Sequence, residues 1–177
     1  MNLQSTDFEL FGLTTRFSQD RSAIDTRWKD LQREAHPDKF AAQGAAAQRI
    51  AMQWSARINQ AYQRLKDPLK RAAYLCELND APVNAENNTA MPREFLIKQM
   101  TWRETLDDAT SAEELTNLAN EVSEARQNGL QKCEHLIDVD HDYVGAVQQV
   151  RAMMFVDRFG SDVDARLDRM DSSEQGQ

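Results

Sequence analysis

His36-Pro37-Asp38 sets an imidazole and a carboxylate on either side of a residue whose backbone is fixed. Groups that close could move a proton, hold a metal ion or recognise a charged partner. Proton transfer in a hydrolase or transferase would need a positioned nucleophile, and phosphate chemistry a Gly-rich loop; neither accompanies the tripeptide, so an enzyme is a remote reading. Metal chemistry fares no better. Cys133, His135 and His141 fit no common zinc spacing, and a buried Cys with surface His is the stronger reading. Asp138-Val-Asp-His-Asp142 opens like a calcium loop, but Tyr143 stands where Gly is required and Gln149 where Glu should close it. No catalytic residue, metal or cofactor is therefore expected. Recognition remains. At 100° per residue Lys29, Arg33 and His36 fall at i, i+4 and i+7, within about 60° of each other. They form a cationic strip that ends in Pro37 and Asp38, suited to an acidic partner and able to offer Asp38 to a guanidinium. Taken alone, the tripeptide is better read as a solvated helix end where His36 and Asp38 cap the backbone.

The elements that must hold this strip are helices. Asp7 to Gly12 suits a short first helix closed by the glycine, and Asp20 or Ser22 can cap a second running to about Ala35. Pro37 disfavours helical backbone at the residue before it, so His36 ends that helix and Pro37 to Gly44 form a loop. Ile24, Trp28, Leu31 and Ala35 share one face, which can meet Trp54, Ile58, Ala61, Tyr62 and Leu65 of a third helix in an antiparallel hairpin. Pro68 suits the first turn of a fourth short helix ending at Leu78.

Residues 79–92 are rich in turn formers and read as a linker. Three more helices follow: one from about Arg93 to Asp108, one opening on the capping box Ser111-Ala-Glu-Glu114, and one starting near Asp142. The second carries Leu115, Leu118, Val122, Ala125, Cys133 and Leu136 on one face. The last carries Tyr143, Ala146, Val147, Val150 and Met154, with Val163, Leu167 and Met170 beyond Gly160 as a continuation. The expected architecture is all-α: an N-terminal helical domain over 1–78, a linker over 79–92, a three-helix bundle over 93–171 and a flexible tail over 172–177.

On the helix after Arg93, Phe95, Trp102 and Leu106 share one face while Leu96, Ile97 and Met100 lie on another. A bundle needs one such face, and each large apolar side chain left wet forgoes roughly 1.5–3 kcal/mol of burial. Leu96, Ile97 and Met100 thus form surplus apolar surface for a partner, which Phe155 can join and Glu104 and Asp108 would rim. The opposing reading makes the same residues a broad core face or an intramolecular contact with the N-terminal domain.

The chain has 177 residues and a net charge of −8, which divides unevenly. Residues 1–76 carry 12 Lys+Arg against 8 Asp+Glu, a balance of +4, and residues 77–177 carry 9 against 21, a balance of −12. The two halves should meet different partners, and the acidic total argues against nucleic acid. No apolar run is long enough to span a bilayer, and residues 1–7 lack the order of a signal peptide, so a cytoplasmic protein without membrane contact is expected. Cys76 and Cys133 form no C-x-x-C and read as buried, reduced residues.

His36-Pro-Asp-Lys-Phe40, Ile58-Asn-Gln-Ala-Tyr62, Leu65-Lys-Asp-Pro68 and Arg71-Ala-Ala-Tyr74 resemble, in order and spacing, the motifs of a J domain. That module triggers ATP hydrolysis in DnaK-type heat-shock chaperones. One departure is Ala35, where J domains usually place an aromatic residue, and its small side chain should thin the packing near the loop. The resemblance implies that Arg27, Lys29, Arg33, His36, Pro37 and Asp38 engage the ATPase and linker region of such a chaperone. The second half lacks the Gly/Phe-rich linker and zinc repeats of general J proteins. Through Phe11-Gly12-Leu13, Asp67-Pro68-Leu69, Phe95-Leu96, Arg103-Glu104 and Leu106-Asp107 the whole chain resembles the HscB family, J co-chaperones of iron–sulfur cluster biogenesis. That resemblance implies a co-chaperone, not an enzyme, that stimulates an HscA-type ATPase and delivers to it the iron–sulfur scaffold IscU. The positions matching the family's scaffold-binding residues are Leu96, Ile97, Met100, Glu104, Asp108 and Phe155, while Thr101 stands at a position that is acidic in family members. The alternatives are a general J co-chaperone with another client and a helical adaptor unrelated to chaperones.

Overall fold

A computed structural model of the chain describes residues 4–84 and 91–174. The described residues form seven α-helices, one 3-10 turn and no strand. They divide into two compact units, Met1–Leu75 and Cys76–Gln177.

In the first unit, helix α1 (Asp7–Phe11) is fixed at both ends. Thr6 and Glu9 form a reciprocal capping box, and Gly12 closes the helix at φ 64°, a left-handed conformation that an L side chain rarely adopts. Its Phe8 and Phe11 are buried, and Phe8 stacks on Tyr74 with centroids 5.9 Å apart. Helix α2 (Arg21–Glu34) starts at Asp20, whose side chain accepts the Ser22 amide at 2.8 Å. That bond, together with one from the Ser22 hydroxyl, holds the Asp20 carboxyl below its ordinary range.

Helix α3 (Ala45–Lys66) runs antiparallel to α2: Arg21 meets the Lys66 carbonyl, Trp28 meets Asn59, and Gln32 meets Ser55. Ile24, Leu31, Ala35, Ile58, Ala61 and Leu65 are buried as the spacing predicts. Trp28 is not. It lies half-buried at the rim, stacked on Tyr62 at 4.7 Å, because its indole N–H must reach a partner and finds the Asn59 side chain at 2.9 Å. Trp54 and Tyr62 are likewise half-buried.

Helix α4 (Pro68–Leu78) begins where Pro68 needs no amide hydrogen and the Asp67 carboxylate accepts the amides of Leu69 and Lys70. Arg71, only 7% exposed, donates from Nε to the Phe17 carbonyl at 2.7 Å and from Nη1 to the Leu65 carbonyl at 2.6 Å. It thereby pins the α1–α2 loop to the end of α3.

The second unit is built on α6 (Ala112–Asp138) and α7 (Tyr143–Glu174), with α5 (Arg93–Asp108) laid against them. Leu115, Leu118, Val122, Cys133 and Ile137 of α6 face Ala146, Val150, Met153, Val156, Phe159 and Val163 of α7. Ser111 and Glu114 form the expected capping box, and the amides of Thr110 and Ser111 hold the Glu114 carboxyl below its ordinary range. Trp102, 1% exposed, anchors α5 by stacking on Phe159 at 5.5 Å and donating its indole N–H to Glu121 at 2.9 Å.

The structure corrects one buried position of α7: the buried methionine is Met153, not Met154, which is 42% exposed. The helix continues past Gly160, as the spacing of Val163, Leu167 and Met170 predicts. The helix also reaches Glu174, inside the segment assigned to a tail, while residues 175–177 lie outside the described residues. Much of the linker, residues 85–90, lies outside them too. Both cysteines are free and buried, and burial pushes the Cys76 thiol up to about 11 and the Cys133 thiol up to about 12. The Asp138–Asp142 run forms the α6–α7 corner: Asp142 caps α7 by accepting the Gly145 amide at 2.9 Å, and Asp140 lies 3.4 Å from His135 Nε2.

Candidate functional site

In the first unit, Pro37 starts the 3-10 turn Pro37–Gln43 with His36 as its cap. The Asp38 amide donates to His36 Nδ1 at 3.3 Å, which requires the ring proton on Nε2. The Asp38 carboxylate lies 3.6 Å from the same ring and is 90% exposed. The capping seen in the tripeptide and the presentation of a free carboxylate are thus compatible: the backbone turn is fixed, and Asp38 stands out from it.

Lys29, Arg33 and His36 are all exposed, as the helical projection requires. Arg27 is less so and lies 3.8 Å from Glu34, while Arg33 lies 3.3 Å from Asp30. These contacts offset part of the strip's charge, which sequence position alone does not show. Nearer the α2 amino terminus, the Arg21 guanidinium, bonded at 2.8 Å, holds the Asp25 carboxyl below its ordinary range. Beside the turn, Ala35, Phe40, Ala51 and Trp54 line an open groove of about 390 Å³. The small side chain at position 35 leaves this space.

The same unit holds a cluster that sequence reading missed. Asp7 is fully buried, with Arg57 at 2.6 Å and Arg64 at 3.2 Å. Neither contact is aligned as a hydrogen bond, so the arginines meet the carboxylate chiefly by charge attraction. The signal was the i, i+7 spacing of Arg57 and Arg64 on α3, legible only once α1 is known to lie against that face.

In the second unit, Leu96, Ile97 and Met100 stand 43%, 62% and 66% exposed on α5. Phe155 is half-buried and touches α5 through Phe95, edge to face at 5.7 Å, while it stacks on Phe159 at 5.8 Å. The core-face alternative fails for the three α5 residues, because Trp102 and Phe95 supply the face that α5 buries. Glu104 and Asp108 are exposed, as is Thr101, whose hydroxyl bonds back to the Ile97 carbonyl at 3.4 Å. Sequence reading missed Arg103, whose guanidinium lies 5.6 Å from the Phe155 ring centroid and 5.8 Å from that of Phe159.

Among the described residues no group of three His, Cys, Asp or Glu could hold a metal ion, and no helix is long and apolar enough to cross a membrane. The two surfaces are a charged, shaped turn in the first unit and an apolar patch with a polar border in the second.

Comparison with known proteins covers both units. Residues 91–164 match the family described as the HSCB C-terminal oligomerisation domain. A co-chaperone protein HscB homolog of Burkholderia thailandensis is 44% identical over 97% of this chain and 99% of its own. One of Burkholderia multivorans is 41% identical over the same shares. The structure of chaperone HscB from Vibrio cholerae superposes with a TM-score of 0.82 at 31% identity, covering 94% of this chain and 99% of that one. The human co-chaperone protein HscB superposes with a TM-score of 0.83 at 23% identity, covering 97% of this chain and 84% of that one, a likeness of fold.

Proposed function

Since the chain belongs to the HscB family of co-chaperones, a non-enzymatic class tied to iron–sulfur cluster assembly, we propose that it stimulates the ATPase of an HscA-type chaperone and delivers an IscU-type scaffold to it. In this reading the first unit, with the chain up to residue 78, is the J domain. Arg27, Lys29 and Arg33 steer an acidic face of the chaperone towards the turn, where His36 and Pro37 hold the backbone and Asp38 pairs with a chaperone guanidinium. The observation that carries it is Asp38, 90% exposed on a turn whose backbone is already fixed by His36. A preshaped turn has little ordering entropy to lose on docking.

The scaffold binds through Leu96, Ile97, Met100 and Phe155, with Glu104 and Asp108 at the border. Burying Ile97 and Met100 on a partner would recover burial that the monomer forgoes, roughly 1–2 kcal/mol each. Holding both proteins at once raises the local concentration of scaffold beside the chaperone. The setting is the cytoplasm, and neither nucleic acid nor membrane takes part. Isothermal titration of the scaffold into the full chain tests the second surface: Leu96→Ala with Met100→Ala should weaken binding at least tenfold while leaving the melting temperature within a few degrees. Unchanged affinity would remove the patch from the proposal.

A further inference from the structure

We propose that the cleft lined by Arg103, Arg166 and Arg169 takes an acidic segment of the same protein that covers Leu96, Ile97 and Met100, an inference that rests on the apolar patch being a docking surface. The cleft lies between α5 and α7 and encloses about 310 Å³, room for a carboxylate with its water. Asp162, Ala165, Arg166 and Arg169 line it from one face of α7, and Arg103, Leu106 and Asp107 from one face of α5.

Three features set these arginines apart. First, they sit in the acidic part of the chain, where residues 77–177 carry 9 Lys+Arg against 21 Asp+Glu, yet among the described residues none of the three forms an ion pair. The two aspartates of the lining leave one positive charge in excess within the cleft. Second, two of the guanidinium groups are already held: Arg103 over the Phe155 and Phe159 rings, and Arg169 by the bond from its Nε to the Ala165 carbonyl at 2.9 Å. A held guanidinium loses less freedom when it forms its fork-shaped pair with a carboxylate. Third, Arg103 lies one turn along α5 from Met100 and shares Phe155 with the patch, so a partner on the patch has its edge at the cleft.

Charge of this kind at the edge of an apolar surface sets orientation and association rate, and its effect fades with salt. The test is the dissociation constant of the full chain for the scaffold at low and high salt, for the parent, for Arg166→Gln with Arg169→Gln, and for Leu96→Ala with Met100→Ala. The arginine variant should weaken binding about three- to tenfold at low salt, the range for two exposed pairs. Its deficit should shrink at high salt, and its melting temperature should not move. Charge reversal, Arg166→Glu with Arg169→Glu, should weaken binding further. If the apolar variant loses binding while the arginine variants match the parent at both salts, the cleft is only solvated surface and the proposal falls alone. If the parent itself does not bind the scaffold, the patch and the cleft fall together.

Discussion

Asp7→Asn should unfold the first unit far more readily than its place near the amino terminus suggests. The carboxylate is fully buried between Arg57 and Arg64, whose side chains are 20% and 33% exposed. Asparagine keeps the shape, so no cavity opens, but it removes the charge that both guanidinium groups face. Breaking a buried ion pair by neutralising one partner costs about 3–5 kcal/mol. Both arginines retain a path to water and can turn outward, which places this case near the lower limit, about 3 kcal/mol. A small further loss comes from the first turn of α1, where the negative charge favours the helix dipole. Hydrogen exchange of α3 amides, followed by mass spectrometry on the full chain, isolates this unit from the other. A loss of about 3 kcal/mol should speed exchange of the slowest α3 amides roughly a hundredfold, with α6 and α7 unchanged. Acceleration below about fivefold would mean that the cluster is a passive neighbour of the core and that the misaligned contacts contribute little.

Trp102→Ala and Met100→Ala, two positions apart on α5, should differ sharply: about 3–5 kcal/mol lost by urea unfolding of the second unit for the buried ring, and below about 1 kcal/mol for the exposed thioether. Equal losses would return Met100 to the core. The buried thiols give an alkaline prediction. Above pH 9.0 the unfolded thiols ionise while Cys76 and Cys133 stay protonated until about 11 and about 12, so the unfolded state binds fewer protons and stability falls as pH rises through that window. The slope should reach up to ~1.4 kcal/mol per pH unit for each thiol, and Cys76→Ala with Cys133→Ala should flatten it in urea titrations at pH 9 and 10.5.

Where a signal is local, the sequence carried it to the right atoms. Gly12, Asp20, Pro68 and the Ser111–Glu114 box each act within one helical turn, and each stops or starts a helix where expected. The exposure of Leu96, Ile97 and Met100 was legible for a related reason: a helix packed by one face cannot bury two. Features that depend on a neighbour from another helix were not. Met153 rather than Met154 is buried because Gly129 of α6 has no side chain and leaves its volume to the Met153 thioether, which a β-carbon there would strike. Trp28 stops at the rim because Asn59, across the hairpin, is where its N–H finds a partner. Asp7 reads as an ordinary first-turn acid until α3 brings up two arginines. The arginine cleft has the same origin, since Arg103 and Arg166 are far apart in sequence and share a cleft only through the α5–α7 packing.

In the proposed function one protein couples a chaperone's ATPase to a scaffold through two separate surfaces. Steady-state ATP turnover by an HscA-type chaperone tests it most directly, measured with this protein alone, with the scaffold alone, with both, and with both when Asp38→Asn or His36→Gln replaces the parent chain. Stimulation by both together should exceed the sum of each alone, and either substitution should abolish it while the helical circular dichroism of the variants stays unchanged. Stimulation that survives Asp38→Asn, or that is the same with and without scaffold, would contradict the proposed function.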